Sequence, residues 1–305
     1  MQWGHIKTLF ILSFLILNIY LVTAFIDRQQ DVGYLDNQEL SIEDQLAAEN
    51  ITYDDIQDDV TESTYISVTQ KLLTSEEIEQ LDNMKGQITE VFNNSLIASE
   101  FKTPISIPKS ANKEAIEELI QGRVLYGEEY ALWDWNEELN LLVFFQKKEN
   151  EEIFYNKSGL LLVYLNKDNK ITHYTQTILG ESEIQSDPIT LNRPSQVIGI
   201  LYRGNDLNHG DEVTEVDMGY YSRITTEGIQ VFAPTWKVEV NGDRNHFVNA
   251  IEGVVYETDE LEFLQEVINE NSARLMTLDK KNELRKSMLK ELEKRLEIDN
   301  WGETK

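Results

Sequence analysis

The chain has 305 residues, 55 acidic side chains against 27 basic ones, a formal charge of −28, and no cysteine. Such a charge repels phosphate backbones, and no dense Lys/Arg tract offsets it locally, so nucleic acid is excluded as a partner and anionic membrane or wall surfaces are poor ones. Without cysteine there is no disulfide framework, thiolate zinc site, iron–sulfur cluster or cysteine nucleophile, while 41 % hydrophobic residues and only 5 prolines indicate packed cores, about two domains' worth at this length.

Residues 1–8 read as a short cytoplasmic tail. Leu9 to Ile26 carries no charge over 18 residues, roughly 27 Å as a helix, enough to cross a bilayer's hydrocarbon core. Lys7 precedes it and Asp27, Asp31, Asp36 and Glu39 follow, so the positive-inside rule places the bulk of the chain outside the cell and the protein as a single-pass component of the cell membrane. A cleaved signal peptide is the rival reading, because Val22, Thr23 and Ala24 suit a signal peptidase. Within the span, Asn18 is a polar amide near the bilayer centre, while Ser13, Tyr20 and Ala24 share a different face. Both faces are candidate contacts for other membrane-embedded helices.

Residues 27–63 form an acidic stalk. Within it Ser41 to Ile51 reads as a short helix, with Ser41 as cap and Ile42, Leu46 and Ala47 on one face. Asp54, Asp55, Asp58 and Asp59 lack the glycine turn and terminal Glu of an EF-hand and read as a solvated face.

Residues 64–180 form a first α+β lobe. It opens with a strand at Thr64 to Leu73, and Thr74 with Glu77 makes a capping box for a helix to about Asn83. Strands follow at Gln87 to Phe92 and around Ile105 to Ile107, then a helix from Asn112 closed by Gly122. Strands at Tyr130 to Trp135, Leu139 to Gln146, Ile153 to Tyr155, Leu160 to Leu165 and Lys170 to Thr177 are joined by short, turn-rich links, the pattern of an antiparallel meander. Trp133 and Trp135 alternate along one strand, which predicts a shared face; core packing is the preferred reading over a ligand platform.

Residues 181–257 repeat the order. A helix begins at Pro194 and ends at Gly204; strands follow at Glu212 to Arg223, Ile229 to Phe232, Thr235 to Val240 and His246 to Tyr256, with a hairpin at Asn241-Gly242. Two similar lobes of antiparallel sheet with packed helices are therefore expected. Residues 258–305 return to a helical pattern through Leu264, Ile268, Leu275, Leu284, Met288, Leu292 and Leu296. Eight bases fall between Arg274 and Arg295, and such an amphipathic helix packs on its own lobe by default or docks on a partner.

No catalytic, cofactor or metal constellation emerges. His5, His173, His209 and His246 are scattered, and the loop Asn205 to Glu212 has its glycine one place early for calcium, so it reads as a turn. Glu128/Glu129 and Glu137/Glu138 are the only pairs that suggest a hydrolase, but acidic pairs beside turns are usually solvated. A noncatalytic protein is expected.

The opening WGHIKTLFILSFLILNIYLVTAFI (Trp3 to Ile26), the SIEDQLAAENI helix, Tyr65-Ile66-Ser67, the Asp217-Met218-Gly219-Tyr220-Tyr221 strand and the final hairpin, taken in order, resemble the YycI (WalI) family. These are regulatory proteins of the WalK/WalR (YycG/YycF) two-component system of low-GC Gram-positive bacteria. The resemblance implies a complex with the sensor histidine kinase WalK (YycG) and the related anchored protein YycH, formed through transmembrane helices and outer domains, that sets kinase activity and hence cell-wall metabolism. Phe232 to Glu257 is also similar to the PepSY signature, with Trp236, Val248, Asn249, Ala250 and Gly253 at its marked positions. That likeness implies a noncatalytic interaction module, and the alternative function is a secreted or anchored PepSY-like module that binds a peptide, protease or wall fragment.

Overall fold

The computed structural model describes residues 7–8, 10–23, 41–53, 61–222 and 228–296. The chain divides into two compact units, Met1–Thr52 with Asn208–Gly210, and Tyr53–Leu207 with Asp211–Lys305.

In the first unit, helix α1 (residues 10–23) has every described side chain exposed, Ile11 at 70 % and Tyr20 at 65 % among them. Among the described residues no helix is long and apolar enough to cross a membrane; Leu9 and Ala24 to Ile26, the ends of the span expected from sequence, lie outside them. Helix α2 (Ile42–Ala48) starts where expected, Ser41 accepting a hydrogen bond from the Asp44 amide at 3.2 Å. His209 meets Glu49 (3.2 Å) and Asn50 (3.3 Å), and the Gly210 amide donates to the Glu49 carbonyl, so this loop is tied to the C-terminal end of α2. Asp54, Asp55, Asp58 and Asp59 lie outside the described residues.

The second unit is α+β around a large, mainly antiparallel sheet. Its first part runs β1 (Thr52–Tyr53, at the unit boundary), β2 (Glu62–Ser63), β3 (Ile66–Gln70), α3 (Ser75–Asp82), β4 (Gln87–Phe92), β5 (Leu96–Ser106) and α4 (Lys113–Gln121). The middle part is β6 (Tyr130–Asn136), β7 (Leu141–Lys148), β8 (Glu151–Phe154), β9 (Leu160–Leu165), β10 (Lys170–Thr177), β11 (Leu179–Ile184) and β12 (Ile189–Thr190). The last is α5 (Pro194–Gly204), β13 (Glu212–Tyr221), β14 (Ile229–Val240), β15 (Arg244–Asn249), β16 (Val255–Tyr256), α6 (Glu260–Leu275) and α7 (Glu283–Leu296). The main sheet has the order β11-β3-β14-β13-β8-β7-β9-β10-β5-β4. β6 adds to β7, and β15 with β16 adds to the last six residues of β14.

The strands expected as a meander form, with one rearrangement. β7 pairs directly with β9, whereas β8 turns back on the end of β7 and pairs in parallel with β13, Gly219 opposite Glu152. That parallel pair joins the strands of residues 64–180 and 181–257 into one sheet. β3 lies among the later strands, between β11 and β14.

The central strands explain the cover. Along β9, Leu160, Leu162 and Tyr164 enter one hydrophobic core, and Leu161, Val163 and Leu165 the other. β7 does the same with Leu141, Val143 and Phe145 against Leu142 and Phe144. Period-two alternation thus buries both faces, and helices must supply two covers. On one face are α3 and α4, with Leu81, Ile116 and Ile120. On the other are α6 and α7, with Leu264, Ile268, Leu275, Met288 and Leu292. The C-terminal helices therefore pack on their own sheet. Arg295, 3 % exposed, anchors α7 by donating to the Asn140 and Leu165 carbonyls at 2.9 Å, its guanidinium 4.9 Å from the Tyr164 ring.

Local signals hold where backbone chemistry is specific. The Thr74/Glu77 capping box closes with bonds of 2.7 and 3.3 Å. Asn241 and Gly242 take φ of 57° and 75°, as the tight hairpin turn requires. Helix α5 runs Pro194–Gly204 as expected, and Asn205 takes the left-handed capping position after it at φ 63°. The strand expected around Ile105 is eleven residues long, Leu96–Ser106, entered through Asn93 and Asn94 at positive φ.

Gly219 sits where β13 meets β8, and a β-carbon there would stand 2.3 Å from Phe154 Cε2 and 2.8 Å from the Glu152 carbonyl oxygen. Gly219→Ala is therefore expected to destabilise the fold by about 2 kcal/mol through overpacking. Equilibrium urea unfolding checks this, and an unchanged midpoint would show that the parallel junction is looser than drawn.

Candidate functional site

The face of the sheet covered by α6 and α7 continues past them onto β13, β14 and β15. Register places Glu215 opposite Glu239, Asp217 opposite Lys237, and Lys237 opposite Phe247, a residue of the α6/α7-side core. All these side chains share that face. Here it is open, and forms a cleft of about 1190 Å³ walled by the end of β6, the β7–β8 turn, the β14–β15 hairpin and the first turn of α6.

A bulge in β6 shapes one wall. Leu132 pairs with Phe144 and Asp134 with Val143, leaving Trp133 as the extra residue. The shared face expected for Trp133 and Trp135 is thereby overturned: Trp133 packs on the α6/α7-side core and Trp135 on the α3/α4-side core. The Trp133 ring lies 5.1 Å from Phe145 and 5.8 Å from Phe154 and Tyr155, so the preferred core reading holds for it, although it also lines the cleft. Its indole nitrogen donates to Glu260 at 2.9 Å, and the Tyr155 hydroxyl donates to the same carboxylate oxygen at 3.0 Å.

At the floor, the Lys237 ammonium lies 2.8 Å from Glu215, 2.7 Å from Asp217, and 5.6 Å from the centre of the Trp133 ring. Burial disfavours this ammonium, but its two carboxylate partners outweigh that and hold its pKa above the ordinary lysine value. The bond from Lys237 pulls Glu215 down, whereas burial pushes Asp217 up. Burial also raises Glu151 and Glu152, the latter near Lys113 at 3.7 Å. Asp134 is pushed up to about 6 by burial and then by repulsion from Glu260. The cleft is therefore negative beyond what its own lysines neutralise.

Of the residues singled out from sequence, Trp133, Trp135, Glu137, Glu138, Asp217, Met218 and Trp236 line or border the cleft, and the candidate contact residues of the membrane segment fall elsewhere. Glu129 is engaged by Lys148 (2.9 Å) and Gln146 (2.7 Å). Among the described residues, no group of three or more His, Asp or Glu side chains is placed to hold a metal ion. Ser13, Asn18 and Tyr20 lie on α1, exposed, in the other unit; Ala24 is outside the described residues. In the PepSY-like hairpin, Trp236, Val248, Asn249 and Ala250 are buried. The Trp236 indole donates to the Asn192 carbonyl at 2.8 Å, and the Asn249 carboxamide oxygen accepts from the Ile251 and Glu252 amides at 2.9 Å. Gly253 takes φ 68° against Ile200. These five build a turn and its seat.

Asp134, Glu215, Lys237 and Glu260 were not singled out from sequence, and Asp217 was named only as part of a strand, not for its charge. The signal for Glu215, Asp217 and Lys237 was the alternation of charge along Glu212 to Tyr221 and Thr235 to Val240, legible only once the two strands are paired in register.

Because the Asp134 pKa is raised on folding, its contribution to stability is complete below the unfolded value near 4 and is lost as pH rises through about 6. Asp134→Asn should thus stabilise the protein at about pH 8 by roughly 1 kcal/mol, after allowance for solvent screening of a partly exposed group, and do nothing near pH 4. Urea unfolding at the two pH values measures the difference; equal effects at both would contradict the raised pKa.

Comparison with known proteins gives one family match: the family model described as YycI protein covers residues 29–251. No curated protein matches the chain. Among solved structures, an uncharacterized protein from Eubacterium rectale ATCC 33656 aligns at TM-score 0.41 and 11 % identity, over 69 % of this chain and 91 % of that one. YycH from Bacillus subtilis aligns at TM-score 0.36 and 12 % identity, over 63 % of this chain and 54 % of that one.

Proposed function

The chain belongs to the YycI family, and from that premise we propose that it is a membrane-anchored accessory regulator that binds a sensor histidine kinase of the WalK (YycG) type together with YycH and modulates kinase activity, and so cell-wall metabolism. The observation that carries this reading is the family match itself, which spans most of the chain. YycI proteins are regulatory and noncatalytic.

The first unit supports the anchored form. Helix α1 exposes apolar side chains all round, Phe10, Ile11, Phe14, Leu17, Leu21 and Val22 among them. A helix that is apolar on every side requires lipid or protein around it. With Lys7 before it and acids after residue 26, the tail is cytoplasmic and the sheet unit extracellular. Asn18 and the Ser13/Tyr20/Ala24 face are the contacts to neighbouring helices. A regulator of this kind acts by binding one kinase state better than another, and a preference of only about 1.4 kcal/mol changes the ratio of states tenfold.

Photo-crosslinkers at positions 13 and 18 in the native host, with partners identified by mass spectrometry, test the assembly. Recovery of a histidine kinase and a second anchored protein is expected. Asn18→Leu should preserve expression and reduce co-purification a few-fold, in keeping with about 0.6 kcal/mol for an interhelical hydrogen bond. A mature N-terminus at Phe25 with neither partner recovered would overturn the anchored reading.

A further inference from the structure

A second cavity, of about 470 Å³, lies between α6 and the strands β5, β9 and β10. Small-molecule sites run to about 300–1,000 Å³, so it is of that size. Val267, Asn271 and Arg274 reach it from one face of α6, at the three- and four-residue spacing that stacks side chains along a helix. Leu96 and Leu160 add apolar wall from the sheet.

The fold leaves two polar groups uncommitted here. Asn271 is only 6 % exposed; its amide nitrogen donates to Thr175 at 3.3 Å, and its carboxamide oxygen has no partner. A buried acceptor draws its donor from whatever occupies the adjoining space. Arg274, three residues on and half-buried, has no carboxylate within ion-pair distance among the described residues, in a chain with 55 acidic side chains. Glu270, four residues before it and its natural helical partner, is held at 2.6 Å by Lys157, which also lies 2.9 Å from Glu266. Of the three charged groups lining the cavity, Lys157, Glu270 and Arg274, only the guanidinium is therefore unpaired.

We propose that this cavity binds a small carboxylate that carries an N–H or O–H donor beside its charge, with the carboxylate on Arg274, the donor on the Asn271 oxygen, and the apolar remainder against Leu96, Leu160 and Val267. A planar guanidinium pairs with a carboxylate through two parallel hydrogen bonds. One uncompensated positive charge matches a monoanion, whereas a phosphate dianion would keep excess negative charge beside Glu270. The inference rests on the cavity alone, and does not depend on which kinase or co-regulator the anchored protein meets.

The test titrates the purified full chain, in a nonionic detergent, with N-acetyl-alanyl-alanine by isothermal calorimetry. Saturable one-to-one binding with Kd of about 1 mM is expected. The C-terminal amide of the same dipeptide, which keeps every N–H and loses the charge, should bind about tenfold more weakly. Arg274→Gln should weaken the acid by a similar factor, and Lys281→Gln, which removes the same charge from the exposed α6–α7 link, should leave it unchanged. Asn271→Ala should weaken it a few-fold, with the fold verified by circular dichroism; Arg274 is half-exposed, so its variant decides the matter where the Asn271 variant fails to fold. Equal loss from Arg274→Gln and Lys281→Gln, equal affinity for acid and amide, or no saturable binding up to about 20 mM would overturn the proposal. So would tighter binding of inorganic phosphate than of the dipeptide, because the cavity would then be a general anion site.

Discussion

The architecture depends on the two-sided burial of β7 and β9. Each places consecutive large apolar side chains alternately into two separate cores, and a sheet with both faces apolar cannot stand in water on either. The chain meets that demand from both ends of its sequence. Helices α3 and α4 cover one face early, and α6 and α7, which cover the other, follow only about 140 residues after α4. Burial of Leu264, Ile268, Met288 and Leu292, at roughly 1.5–3 kcal/mol each, accounts for the amphipathic pattern at the C-terminus. The buried guanidinium of Arg295 fits the same logic, since the carbonyls it reaches lie at the end of the β7–β9 pair.

The cleft follows from where that cover stops. Helix α6 begins at Glu260, beside Trp133, and the sheet face beyond it changes from apolar to charged within one register step, from Phe247 to Lys237 and Asp217. Uncovered antiparallel sheet is expected to be polar, and this portion is. It is unusual in sign, because carboxylates crowd together where alternating charges would cost less. Burial raises the pKa values of Asp134, Glu151, Glu152 and Asp217, and repulsion from neighbouring carboxylates adds to it.

Much of this was legible in the sequence where a local physical rule acts alone. The Thr74 capping box, the Asn241-Gly242 turn, the strands from Tyr130 to Thr177 and the helix after Pro194 are fixed by backbone chemistry or periodicity within a few residues. What could not be read is pairing over distance. Nothing near Glu151 indicates that β8 leaves its neighbours to run parallel with β13, and nothing near Ile66 indicates that β3 belongs beside β14. The single extra residue at Trp133 was invisible for the same reason: the bulge exists only relative to β7, yet it sends the two tryptophans into different cores. The cleft required all three facts, so its residues stayed scattered in the sequence.

The charged wall of the cleft is held in place by the core beneath it. Carboxylates on flexible side chains lose rotamer freedom when they form an ion pair, and that loss cancels most of the gain when the pair is exposed. Here Glu260 is already fixed by donors from Trp133 and Tyr155, Trp133 by rings from three further strands and the β8–β9 link, and Glu215 and Asp217 by Lys237. The ordering was accomplished when the core beneath formed. The aromatic cluster of Trp133, Phe145, Phe154, Tyr155 and Phe247 therefore has two roles with one cause: it fills the space between sheet and α6, and it holds the charged wall above it in a fixed geometry.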